Sequence, residues 1–423
     1  MKPSTLPDSP STAGGWTRAA LIAIACGALI VTLSMGVRQS FGLFMQPVGR
    51  DFGIGREYFG FAIAVQNLLF GLAQPFVGAV ADRYGVRRVL VVGALVYVAG
   101  LALAAVVLAP GGIMLSLGVL VGLGLSGTTF VVVLTGVARL VRPEQRSMAF
   151  GLVTAGGSFG QFAVVPLAQA LIASWGWRHA LFGLCVLILA TAAAAVGLRK
   201  PAAGSAAAGP AGDSYGSLSA ALARAAAHPH YWLLNAGFFV CGFHIAFIAT
   251  HFPAYLVDQG IAASVGATAL ALVGLFNIAG SYLFGLWGGR HSRPRLLAAL
   301  YAARALAIAV FLLVPLSAAS ALVFAAVFGF LWLGTVPLTN GAVASMFGVR
   351  YLSTLYGIVF LSHQVGSFVG AWVAGRLYDS SGSYGPIWVA SIALGLLAAA
   401  VSWATRDESV PAQAPLRAAE STP

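Results

Sequence analysis

The chain has 423 residues, 59% of them hydrophobic and only 8% charged, and its mean hydropathy is +0.91. A soluble domain carries roughly 25% charged residues, so the composition excludes one and calls for a bilayer as the surrounding solvent. The formal net charge of +12, from 23 Lys and Arg against 11 Asp and Glu, then reads as basic loops held on the cytoplasmic face and not as a nucleic-acid surface.

A helix that crosses a bilayer needs about 20 apolar residues. Residues 1–15, rich in Pro, Ser and Gly, read as an N-terminal tail. The apolar run that follows is too long for the h-region of a cleavable signal. Apolar segments fall at roughly 16–45, 57–80, 88–109, 113–140, 147–173 and 178–198. Residues 199–230 form a Gly/Ala/Pro/Ser linker with a short helix near Leu218–Ala227. Six more segments fall at roughly 231–257, 264–288, 296–315, 319–347, 353–377 and 384–404, and residues 405–423 form a C-terminal tail. The expected fold is an all-α polytopic membrane protein. It has twelve transmembrane helices in two pseudo-symmetric six-helix bundles, 16–198 and 231–404.

Basic residues orient the chain. Seventeen of the 23 Lys and Arg lie on the side of the termini and linker, against Arg50, Arg56, Arg178 and Arg376 on the other, with Arg38 and Arg304 inside spans. This asymmetry predicts cytoplasmic termini in a cell (inner or plasma) membrane. The two halves also align at a constant offset of 207 residues, which pairs Gly78 with Gly285, Arg83 with Arg290 and Asp51 with Asp258. Duplicated six-helix units hold substrate near the midplane between halves that rock. Cys26, Cys185 and Cys241 sit in apolar runs, which argues against a disulfide framework.

Between the second and third spans stands Gly78-Ala-Val-Ala-Asp82-Arg83-Tyr-Gly85-Val-Arg87-Arg88. Gly78 and Gly85 allow close approach and a tight turn, and Asp82 can face a helix N-terminus, where a carboxylate is favoured. This loop resembles the G-x-x-x-D-R-x-G-R-R motif of the major facilitator superfamily, with Val86 as a spacer. Gly176-Trp177-Arg178 before the sixth span and Arg142-Pro-Glu144-Gln-Arg146 resemble further features of that family. The resemblance implies that Asp82 and its arginines latch the cytoplasmic side. The alternative reading makes them anchoring charges only.

Substrate class must come from polar groups inside the spans, where each is costly. All eleven Asp and Glu lie in loops, tails or span ends, which argues against a cationic substrate. Arg38 in the first span is a permanent cation whose planar fork fits a carboxylate; otherwise it snorkels to the interface. His244 and His251, seven apart, share one face of the seventh span, and His363 lies near the middle of the eleventh. Each is a candidate for proton coupling, or else a neutral hydrogen-bonding residue. His244 and His363 join Arg38, Asn67, Gln161 and Asn277 as candidate substrate-binding residues, the amides being equally able to glue helices together. Arg304 reads as structural, pairing with carbonyls of a neighbouring helix.

Gly14-Gly15-Trp16 and Arg38-Gln-Ser-Phe-Gly-Leu-Phe resemble the monocarboxylate and oxalate–formate branch of the same superfamily. The resemblance implies transport of small carboxylates with a proton or by exchange. The sequence departs from it at Asn277 and Ser281, where proton-coupled relatives carry an Asp and an Arg. The expected function is alternating-access transport of a small organic anion, a monocarboxylate first. The alternative is an exporter of neutral or weakly acidic drugs or metabolites, with Phe41, Trp332 and Tyr356 as an apolar wall. A transport-dead sensor and a membrane enzyme rank lower, for want of an output domain or a nucleophile–base motif. Substrate, a proton or counter-anion, and lipid are the expected partners of a functional monomer. No cofactor, metal or nucleic acid is expected.

Overall fold

The computed structural model describes residues 16–142, 145–198, 217–348 and 351–409, apart from the side chains of Asp82, Ser147 and Ser353. Glu144 and both tails in large part therefore lie outside the described residues. Among the described residues, eleven apolar helices are long enough to cross a bilayer. They are Arg18–Phe52, Arg56–Ala81, Val86–Val106, Pro110–Ala138, Met148–Leu198, Pro229–Asp258, Ala263–Gly288, Arg293–Leu313, Ala318–Phe347, Thr354–Ser381 and Gly385–Ala404. The fifth is two spans joined at Gly176, whose backbone turns to φ 77° and ψ 163°. Counting 148–175 and 177–198 separately gives twelve spans, numbered here in chain order. Helices are the economical answer in lipid, because each satisfies its own backbone donors and acceptors.

The loops follow sequence chemistry. Gly85 takes φ 95° between the second and third spans, a conformation that L side chains rarely adopt. Leu218–Ala227 is helical, and Ser217 Oγ accepts from the Ala220 amide at its start. At the Gly176 corner, Trp177 Nε1 donates to Asp51 at 2.6 Å. Arg178 Nη1 donates to the carbonyls of Ala105 and Val107 at 2.8 and 3.1 Å, satisfying acceptors that a helix C-terminus leaves open. The first, third and sixth spans are thus tied together at that end.

Each half has its own core. Small and aliphatic residues such as Ala23, Val31, Ala94, Val133 and Ala168 fill the first, and the second is aromatic. There Phe252, Phe311, Phe324 and Trp388 pack with centroids 4.4 to 6.3 Å apart. Apolar residues also cover the outside: Leu108 is 88% exposed and Leu313 84%. Covering one such side chain is worth about 1.5–3 kcal/mol in water, and surrounding lipid supplies that cover. The protein is a multi-pass membrane protein.

The halves meet from mid-depth to the end that carries Asp258. The Arg56 guanidinium and the Asp258 carboxylate form a two-pronged pair at 2.5 and 2.6 Å. Asp379 accepts from the backbone amides of Arg56 and Glu57 at 3.0 and 2.8 Å, so a carboxylate of the second half caps a helix of the first. Trp372 Nε1 donates to Glu57 at 3.0 Å, and Gln46 Nε2 to Asp258 at 3.1 Å. Phe61 packs on Phe368 and Trp372. Together these contacts close that end.

Candidate functional site

The first span breaks where the site lies. Its helix runs Arg18–Gln39, tightens into a 3-10 turn at Phe41–Phe44 and resumes over Met45–Phe52. Ser40 Oγ donates to the Val37 carbonyl at 2.7 Å, a local bond that competes with the helix ladder. Arg38 sits at this break, more than a turn from either end of the span, and points inward. Its Nη2 donates to Asn67 Oδ1 at 2.5 Å and its guanidinium lies 5.5 Å from the Phe70 ring centre. Its Nε is buried without a partner.

A cavity of about 20 Å³ opens beside it, lined by Arg38, Gln39, Phe41, Ile63, Gln66 and Asn67 of the first half and by Ile245, Ala246, Ala249 and Thr250 of the seventh span. Such a space holds about one water, so a carboxylate enters only if the halves part. At 4 Å a unit positive and a unit negative charge attract by about 4 kcal/mol at an effective dielectric of 20. A fixed positive charge on this wall attracts an anion and repels a cation.

Amides extend the site across both halves. Gln39 Nε2 donates to Gln161 Oε1 at 3.0 Å, and Gln161 Nε2 to the Leu270 carbonyl at 3.0 Å. Asn277 Nδ2 donates to Ser158 Oγ at 2.8 Å, while Asn277 Oδ1 accepts from Ser281 and from the Leu333 amide. Gln364 Nε2 donates to the Asn67 carbonyl at 2.8 Å, and its Oε1 lies 2.9 Å from His363 Nδ1. Arg38, Asn67, Gln364 and His363 thus form one chain of polar contacts at the seam between the halves, while Gln161 and Asn277 cross the same seam in two separate contacts. Asn277 and Gln161 spend their hydrogen bonds on holding helices.

His244 and His251 do not reach the cavity, contrary to the expectation of His244 as a substrate-binding residue. Residues 245, 246, 249 and 250 line it, and at about 100° per residue positions 244 and 251 share the opposite face. His244 Nε2 lies 2.8 Å from the Ser391 carbonyl and its ring packs near Phe328. His251 Nε2 lies 2.8 Å from the Ala371 carbonyl and its Nδ1 3.0 Å from Tyr384 Oη. Arg304 is fully buried; its Nε and Nη2 donate to the Leu331 carbonyl at 3.0 and 2.6 Å, and Nη2 also to that of Trp332.

Sequence reasoning missed the closing residues. Arg56, Asp258, Asp379 and Tyr384 read only as loop and span-end groups, yet Arg56 Nη1 also donates to Tyr384 Oη at 2.9 Å and its guanidinium lies 3.8 Å from the Tyr378 ring centre. Burial pushes the Tyr384 phenol above its ordinary range against the pull of Arg56, so it stays protonated. Their signal was only that single charges of opposite sign stood at span ends of different halves. Of the expected gate, Gly78 lies against Val131, and Arg83, Arg87 and Arg88 are exposed. The Asp82 side chain lies outside the described residues. Among the described residues no group of three or more His, Cys, Asp or Glu could hold a metal.

Comparison with known proteins places this architecture. An uncharacterized MFS-type transporter of Bacillus subtilis, YcxA, is 26% identical over 82% of this chain and 85% of its own length. Monocarboxylate transporter 13 of Rattus norvegicus is 25% identical over 83% of this chain and 81% of its own. Human monocarboxylate transporter 11 is 27% identical over 88% of this chain and 79% of its own. Among solved structures, a bacterial homolog of the human lysosomal transporter Spinster superposes with a TM-score of 0.75 at 17% identity. That match covers 94% of this chain and all of that one, a likeness of fold. The Major Facilitator Superfamily model itself matches residues 24–371. With twelve spans in two halves, a glycine-punctuated loop after the second span and a resemblance to monocarboxylate transporters along most of its length, this chain belongs to the Major Facilitator Superfamily of transporters.

Proposed function

We propose that the protein carries a small organic anion, a monocarboxylate in first place, across the cell membrane by alternating access. The observation that carries this reading is Arg38: a cation at mid-depth, held by the neutral Asn67, with a buried Nε that has no partner. A carboxylate in the cavity beside it completes its hydrogen bonds. Resemblance to monocarboxylate transporters supports the substrate class.

In this reading both termini and the 199–230 linker are cytoplasmic, and the Asp258 end is outer. Bundles 16–198 and 231–404 rock about the seam, and the monomer is the working unit. Asp82 with Arg83, Arg87 and Arg88 latches the inner side. Carrying one anion inward against an inside-negative potential costs about 2.3 kcal/mol per 100 mV, so import requires a co-transported proton or an exchanged anion. His244, His251 and His363 are the proton-carrying candidates. The apolar stretch of the cavity wall, Phe41, Ile63 and Ile245, favours a second reading, export of neutral or weakly acidic compounds.

Uptake of a labelled carboxylate panel into proteoliposomes separates these readings. Saturable uptake driven by external acid, or by an anion preloaded inside, is the expected result. Flux of uncharged compounds without any carboxylate flux moves the assignment to the second reading.

A further inference from the structure

The hydrogen bonds around His251 form a closed chain that leads to the contact between the halves. Arg56 Nη1 donates to Tyr384 Oη at 2.9 Å, and His251 Nδ1 lies 3.0 Å from the same oxygen. The phenol accepts from Arg56, so its own hydrogen is free to go to His251 Nδ1. That leaves the imidazole hydrogen on Nε2, where it meets the Ala371 carbonyl at 2.8 Å. Every donor then has an acceptor, and His251 is neutral in this arrangement.

A proton added to Nδ1 breaks that match. Two cationic donors, imidazolium and guanidinium, would converge on one phenol oxygen, and the Tyr384 hydrogen would lose its acceptor. The surroundings offer no relief. Phe247 and Tyr255 flank from the same span, Gly60 and Ala371 face the ring from the second and eleventh spans, and His251 is completely buried. Asp258 is bound two-pronged to Arg56. Asp379 is engaged on backbone amides, and Glu57 faces Trp372 and Arg376.

We infer that His251 is the proton-binding residue of the outer closure: it takes a proton from the outer water when Arg56 and Asp258 part, and must give it up before they rejoin. The orientation and the coupled carrier cycle rest on the function proposed above; the link between protonation and parting of the halves does not. By linkage, acid favours the open outer end, changing the open-to-closed ratio by up to about tenfold per pH unit for one proton. The closed arrangement is fully favoured above the pKa of His251 in the open state and is lost as pH falls through it.

The test uses the full chain in lipid nanodiscs, with Cys26, Cys185 and Cys241 replaced by Ser and spin labels on Leu108→Cys and Gln259→Cys, both exposed at the outer end. Distance distributions are recorded from pH 8 to pH 5. The expected result is a pH-dependent outward shift that His251→Gln flattens with the halves closed, since the glutamine amide can still pair with Tyr384. Tyr384→Phe should also flatten the response, but with a larger open population at every pH because Arg56 loses a bond. An unchanged acid response in His251→Gln, or no response in the parent, overturns the inference. Acid opening without carboxylate uptake would uphold it and reject the proposed substrate. Uptake whose acid stimulation survives His251→Gln would do the reverse.

Discussion

Replacing Arg38 by glutamine tests the anion site with the least damage to the fold. The glutamine amide can still donate to Asn67 Oδ1, the one side-chain acceptor that Arg38 uses, and it carries no charge to desolvate. What disappears is the attraction for a carboxylate. A unit pair at 4 Å is worth about 4 kcal/mol at an effective dielectric of 20, and a hydrogen bond to a charged group about 1.5–3 kcal/mol. A net loss of about 2–4 kcal/mol corresponds to a fall in apparent affinity of roughly 30- to 1,000-fold. Arg38→Lys keeps the charge but not the fork, and should fall between the two. The assay is concentration-dependent uptake of labelled monocarboxylates into liposomes, normalised to the amount of correctly inserted protein. Arg38→Gln with an affinity within about threefold of the parent, less than 1 kcal/mol, would refute the assignment of Arg38 to the substrate.

Three further outcomes are expected. Asp379→Ala removes the cap on the second span; caps are worth about 0.5–2 kcal/mol, so the labelled outer end should open by several-fold in population at constant pH. Gly85→Ala forces a side chain into a conformation that costs of order 1–3 kcal/mol, which should appear as a lower Tm in detergent. Asp82→Asn should slow turnover and leave substrate affinity nearly unchanged; loss of binding instead would place Asp82 in the site and reverse the proposed topology.

Much of the architecture was legible because lipid imposes length and composition on each helix. The spans, the Leu218–Ala227 helix and the Gly176 corner all follow from local pattern. Arg38 was legible for the same reason, as a charge too deep in an apolar run to be incidental. The histidine periodicity was also right, since His244 and His251 do share a face, but period alone cannot say which face looks into the cavity. The closing contacts were illegible in principle. Arg56 and Asp258 lie 202 residues apart, and Arg56 and Tyr384 lie 328 apart. Only the packing of the two bundles brings them together.

The duplicated corners show what each half can do alone. In the first copy, Asp51 is held by Trp177 with Arg178 beside it, all within one half. At the offset of 207 residues, Asp258 replaces Asp51, but Tyr384 and Gly385 stand where Trp177 and Arg178 did. The second copy therefore lacks a guanidinium of its own at this place and borrows Arg56 from the first. Its corner is an incomplete part that only the assembled carrier finishes. A chain severed in the 199–230 linker would leave the N-terminal bundle with an intact corner and the C-terminal bundle with an aspartate that has lost its cation. At this corner the division of labour is unequal: the aspartate of the second copy needs a cation from the first half, whereas the aspartate of the first copy finds its partners within its own half.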